Sequence, residues 1–168
     1  QNCRGAASFA GSRGRRVDVA CGDAGALPFR DGSFDFVVAN DSMEHFSDPG
    51  RALGEIARVT RKGGSVFVFF TPWGSPLGSH LYDHIRTPWC HRVYGEALLE
   101  ELLEISLREK GASNPAAGAA AMMKGYREEN NRIDIAGYRR ILKGIGGIEV
   151  EYEELIPPKF RFLAPLAR

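Results

Sequence analysis

Two groups of residues in this 168-residue chain are of types that do chemistry. The first is acidic punctuation behind short apolar runs: Gly22-Asp23-Ala24 after Arg16–Cys21, with Leu27 close behind, and Asn40-Asp41 at the end of FDFVVAN, followed by Met43-Glu44-His45. Residues at the carboxyl ends of parallel strands present amides, carbonyls and carboxylates to a crevice, which is where open α/β sheets bind ligands. Read alone, Asp23 is equally a cap for the turn behind a strand, and His45 is more naturally a packing or hydrogen-bonding residue than a base. The second group is a concentration of histidine: His80, His84 and His91 lie in one short segment with Asp83, Cys90, Trp73, Tyr82 and Trp89. His80 and His84 are spaced i, i+4 and would share a face if that piece were helical, which opens a metal-site reading. Against it, the run is not H-E-x-x-H, Pro76 and Pro88 favour loop, and neighbours Cys90 and His91 point opposite ways on an extended chain. The preferred reading assigns no metal. It makes the segment a lid over a bound small molecule, where aromatic rings supply shape and imidazoles supply adjustable donors or a base near neutral pH. An aromatic loop that merely covers the sheet is the plain alternative.

The elements that must position these residues are legible in part. Phe34–Asn40 is apolar with almost no alternation, as in a strand covered on both faces, and Arg16–Cys21 reads as a shorter strand closed by Gly22-Asp23. Asp48-Pro49 supplies a side-chain cap and a proline at the first helical position, after which Ala52, Leu53, Ile56 and Ala57 share a face up to Gly63-Gly64. Ser65–Phe70 returns as a strand, so strand, helix and strand form a parallel crossover. Thr71–Gly95 is an irregular excursion. Glu96–Arg108 is a leucine-rich helix, Ala112–Ala121 a linker or weak helix, and Asp134 caps a helix in which Ile133 staples against Tyr138 while Ile135, Ile141, Leu142 and Ile145 face inward. Ile148–Leu155 alternates as a strand does. The tail after it is broken by prolines; Lys159, Phe160, Arg161, Phe162 and Leu163 are too few for more than a marginal membrane anchor, and core packing is the simpler use.

Composition narrows the classes of function. A chain of this length with 43% hydrophobic residues can bury a core and is most simply one domain. Lysine plus arginine number 22 against 21 acidic residues, so the whole-chain field gathers neither nucleic acid nor anionic membrane. The Arg13, Arg15, Arg16 cluster lacks interleaved aromatics and reads as a solvated helix end. Three scattered cysteines without C-x-x-C spacing fit a reducing compartment, and no apolar run is long enough to span a membrane. The expected setting is the cytoplasm.

From Gly22 to Gly64 the order of strand, acidic turn, strand and capped helix, with LPF, FDFVVAN and Met43-Glu44-His45, resembles the C-terminal part of class I S-adenosylmethionine-dependent methyltransferases of the type 11 family. The resemblance extends over Arg16 to Leu155. It implies an α/β, partial Rossmann-like methyltransferase fold: a mostly parallel sheet flanked by helices, holding strands three to six of the family order and lacking the first two. It also implies one incomplete domain with residues 71–95 as a lid-like insertion and 111–130 as a linker or weak helix. The implied reaction is methyl transfer from S-adenosylmethionine to a small molecule, with no general base assigned. By resemblance, Gly22, Asp23, Ala24, Leu27, Asn40, Asp41 and His45 bind the donor: the Asp23 carboxylate accepts from the adenine amine, the Ala24 amide donates to the ring and Leu27 lines its face. Trp73, His80, Tyr82, His84, Trp89 and His91 then face the acceptor. No G-x-G-x-G loop is present, and such enzymes need that loop for the donor's ribose and carboxylate. The expectation is therefore of a truncated chain that binds the donor weakly or not at all. Two other classes stay open: a non-catalytic methyltransferase-like module that binds a partner, and a metal-dependent hydrolase using the His80–His91 cluster.

Overall fold

The computed structural model describes residues 2–156, and the tail segment Lys159–Leu163 lies outside them. Helix α1 (Asn2–Ser12) opens the chain, and Arg13 at its end lays its guanidinium 5.3 Å from the Phe9 ring centre. Strand β1 (Phe34–Asn40), helix α2 (Pro49–Val59) and strand β2 (Thr60–Phe69) form the crossover, and the two strands pair in parallel. The Asp48 carboxylate accepts from the Arg51 amide at 2.9 Å with Pro49 behind it, as the sequence predicts. The helix stops earlier than expected, at Val59, and the strand starts at Thr60. Gly64 is required there, since a Cβ would meet the Asp35 carbonyl oxygen at 2.8 Å and the Thr60 methyl at 2.9 Å.

Val37, Ala39 and Val68 pack inward with Met43, Leu53, Ile56 and Ile133, and helix α6 (Ile135–Gly144) adds Tyr138, Ile141 and Leu142 to the same cluster. Asp134 caps α6 by accepting from the Gly137 amide at 2.7 Å. A second core belongs to helices. It joins α4 (Glu96–Glu109), α5 (Pro115–Glu128) and the short α3 (Cys90–Val93) through Leu99, Leu103, Ala119, Met123 and Tyr126, with Leu81, Ile85 and Cys90 from the irregular segment before α4. The alanine-rich stretch is thus a 14-residue helix, started by Asn114, whose side chain accepts from the Ala117 amide, and by Pro115.

Three expectations are corrected. Residues 16–21 form no strand: the chain there is exposed, with Val17 at 52%, and the nearest ladder element is a lone antiparallel bridge between Asp23 and Ala26. Residues 148–155 also form no strand; Glu153 is instead paired with Arg139 of α6. β-Branched residues favour a strand only where a neighbouring edge offers amides and carbonyls, and neither segment lies against one in a ladder. Nor is β1 covered on both faces. Phe36 and Val38 are 58% and 56% exposed, and Phe67 beside Val38 is 49% exposed. The α/β class stands, with a two-stranded parallel sheet.

Candidate functional site

Strand β1 ends where Asn40 donates its side-chain amide to the Asp41 carboxylate at 2.9 Å, and the Asp41 amide reaches across to the Phe69 carbonyl at 2.8 Å. Asp41 adopts the left-handed backbone conformation, turning the chain off the sheet into a 3₁₀ turn, Met43–His45. Opposite this turn lies the loop from Gly22. The Asp23 carboxylate accepts from the Gly25 amide at 2.9 Å, so it does close the turn, while its second oxygen is not used by that bond. A cleft of about 310 Å³ lies between loop and turn, lined by Gly22, Asp23, Ala24 and Gly25 on one wall and by His45, Phe46 and Arg51 among others on the other. Four of the seven predicted donor residues, Gly22, Asp23, Ala24 and His45, therefore meet in one cleft. Leu27 lines a neighbouring open recess of about 520 Å³ with Arg51 and Glu55, while Asn40 and Asp41 line neither.

The loop is held by α2. Arg58 donates to the Leu27 and Phe29 carbonyls and to Asp31 and Glu55, and the Leu27 amide donates to Glu55 at 2.7 Å. Hydrogen bonding from Arg58, more than any other cause, holds the Glu55 carboxyl down at about 2. Glu55 and Arg58 are thus bound to each other and to the loop, which makes them positioning groups.

The turn carrying His45 is held from the far side of the molecule. Asn131 donates through its side-chain amide to the Met43 and Phe46 carbonyls, both at 2.8 Å, and through its backbone to the Glu44 carbonyl. Next to it, the Glu129 carbonyl accepts from His45 Nδ1 at 2.8 Å. A carbonyl can only accept, so Nδ1 carries a proton, and in the neutral ring this tautomer puts the lone pair on Nε2. Asn130 donates to the Gly78 carbonyl, and Trp73 donates its amide to Ile133, which bring the histidine-rich segment against the same turn. These two asparagines were not singled out by the sequence. Their only signal is an adjacent polar pair between two helices.

The six predicted acceptor residues do not converge. His80 alone comes to the turn, its Nε2 3.6 Å from the Glu44 carboxylate and its ring 5.2 Å from that of His45. His84 faces Ser106 of α4 and Lys110 just past its end. His91 packs 4.5 Å from Trp73 and donates through Nε2 to the Trp73 carbonyl, while Trp73 also meets Tyr126 and Arg132. Trp89 donates to the Gly74 carbonyl, and Tyr82 lies under Arg86. Burial lowers the pKa of His80, His84 and His91 in each case.

Residues 2–68 match a family described as a methyltransferase domain. The chain is 36% identical over 101 residues to the demethylmenaquinone methyltransferase of Renibacterium salmoninarum, covering 60% of this chain and 37% of that protein. It is 35% identical over 141 residues to the corresponding protein of Beutenbergia cavernae, covering 78% of this chain and 54% of that one. The chain thus spans about half or less of the length of these relatives. A solved SAM-dependent methyltransferase from Thermotoga maritima, described as a possible histamine N-methyltransferase, superposes with a TM-score of 0.49 at 22% identity, over 84% of this chain and 52% of that one. Residues 2–68 thus carry a methyltransferase-domain match, and over up to 141 residues the chain is similar in sequence to methyltransferases.

Proposed function

We propose that this chain provides part of an S-adenosylmethionine-dependent methyltransferase acting on a small-molecule acceptor, with the donor in the cleft between Gly22–Gly25 and His45. The observation that carries this reading is the meeting of Gly22, Asp23, Ala24 and His45 in one cleft beside the carboxyl end of β1. Methyl transfer from a sulfonium needs the methyl and its acceptor held in line and kept from water, so a cleft with backbone amides and one carboxylate serves it without a catalytic triad. Asp23 would take the adenine amine with the oxygen its turn leaves over, Ala24 would donate to the ring, and Leu27 would extend the wall. Asn40 and Asp41, at the strand end, would face the methionine part of the donor. His80 is the acceptor-side residue nearest the cleft; Trp73, Tyr82, His84, Trp89 and His91 would act by shaping the cover. A relative's name points to quinone-type acceptors, and an acceptor of that kind, a flat ring bearing oxygens, fits an aromatic cover. An exposed free thiol at Cys21 fits a cytoplasmic setting. No described helix is long and apolar enough to cross a membrane.

Titration calorimetry with S-adenosylhomocysteine tests the reading. Weak saturable binding that disappears in Asp23→Ala is the expected result, because the chain has no G-x-G-x-G loop to supply amides for ribose and carboxylate. Tight micromolar binding would refute the weakness, and binding unchanged in Asp23→Ala would remove the donor from this cleft. A partner-binding module is favoured by one observation, the bare face of Phe36, Val38 and Phe67. Obligate association in size-exclusion chromatography, lost in Phe67→Ser, would support it.

A further inference from the structure

Glu44 is the most unusual ionisable residue in the described molecule. It is 1% exposed, its Oε1 lies 3.4 Å from the Thr71 amide, and its Oε2 is buried without any hydrogen-bond partner. A buried carboxylate oxygen with nothing to accept is costly, and such groups are retained where something else supplies the missing contact. Two imidazoles face it. One ligand atom from each of Glu44, His45 and His80 can be chosen so that all three lie within 4.8 Å of one another.

We propose that Glu44, His45 and His80 hold one divalent metal ion of the zinc class at the rim of the cleft. Two imidazole nitrogens and one carboxylate suit nitrogen-tolerant first-row ions such as Zn²⁺, Co²⁺ or Fe²⁺, whereas Mg²⁺ and Ca²⁺ prefer all-oxygen shells. The second layer is also that of a metal site. His45 gives its Nδ1 proton to the Glu129 carbonyl, fixing the tautomer that leaves Nε2 free to ligate. Asn131 pins the turn that carries Glu44 and His45, and Asn130 ties the opposite segment through Gly78, two residues before His80. A side chain at Gly78 would place its Cβ 2.5 Å from the Trp73 carbonyl oxygen, so the approach of His80 depends on glycine there. Three protein ligands leave open positions for water or for an oxygen of a bound molecule, and His45 also lines the cleft, so such a ligand would stand at its edge. This set is distinct from His80, His84 and His91, which the fold separates.

The test needs neither donor nor acceptor, so it is independent of the methyl-transfer reading. The full chain, purified without a histidine tag and stripped with a chelator, is titrated with Co²⁺ and with Zn²⁺. One equivalent of Co²⁺ giving visible ligand-field absorption, displaced by Zn²⁺, is the expected result. His80→Asn keeps a residue tolerant of the left-handed backbone at position 80 and should weaken binding at least about tenfold, as should His45→Asn. His84→Ala, on the α4 side, should bind as the parent does. Circular dichroism of each variant verifies the fold, and the two histidine variants stand in for Glu44→Gln, whose burial puts folding at risk. Absence of a stoichiometric equivalent, or equal binding by parent, His80→Asn and His45→Asn, overturns the proposal.

Discussion

The helical half and the strand half of this molecule solve the burial problem differently. Helices α4 and α5 each carry one apolar stripe and close it against the other, leaving Leu99, Leu103 and Met123 fully buried. The strand pair is apolar on both faces, and α2 and α6 cover one of them. An amphipathic helix finishes its core with a single partner, while a parallel sheet needs a layer on each side. The difference leaves the more complete core in the helices and the proposed binding cleft beside the less finished half.

The comparison breaks most readily at Leu103. Leu103→Ala removes a fully buried side chain and should cost about 2–5 kcal/mol by urea denaturation; a loss under about 1 kcal/mol would show that the helical core is not the anchor. Removing the α2 cap by Asp48→Ala should cost about 1 kcal/mol, and because Asp48 lies on the cleft wall the same variant should alter donor binding. Acid sharpens the contrast within the helical half. Burial depresses the His91 pKa, with the Trp73 carbonyl bond opposing, and its Nδ1 is buried without a partner. The unfolded chain therefore binds the proton more readily, so the stabilisation is complete above the unfolded value of about 6.5 and is lost as pH falls below it toward the folded value. His80 and His84 shift in the same direction. His91→Gln should flatten the fall in melting temperature between neutral and acid pH; an unchanged profile would exclude His91 as a contributor. The smallest effect is expected at Phe67→Ser on the bare face, within about 0.5 kcal/mol, with less self-association in light scattering. A large loss there would mean that the face is covered in solution.

The parts legible in the sequence are those whose signals are local. Asp48-Pro49 and Asp134 announce their helices because a cap and the amide it accepts from lie three residues apart. Asn114-Pro115 carries the same signal, hidden by the alanines behind it. Arg16–Cys21 and Ile148–Leu155 read as strands from their residue types, yet pairing depends on an edge elsewhere in space, and no local pattern records whether that edge exists. In the site, His45 is legible because it follows the end of β1, whereas Gly22-Asp23-Ala24 reaches the same cleft as a turn with no strand leading into it. The histidines are not: their segment is a series of turns, and each turn sends the next imidazole to a different neighbour, His80 to Glu44, His84 to α4 and His91 to Trp73. Asn131 escapes notice because its role is to bind backbone, which no residue spacing advertises.

That single amide side chain has a mechanical consequence. Asn131 follows the end of α5 by three residues and grips the turn bearing Glu44 and His45 at two carbonyls. A tilt of the helical hairpin would thereby be felt at the imidazole, as a lever passes force through its pin, with the Glu129 carbonyl on His45 as a second point of purchase.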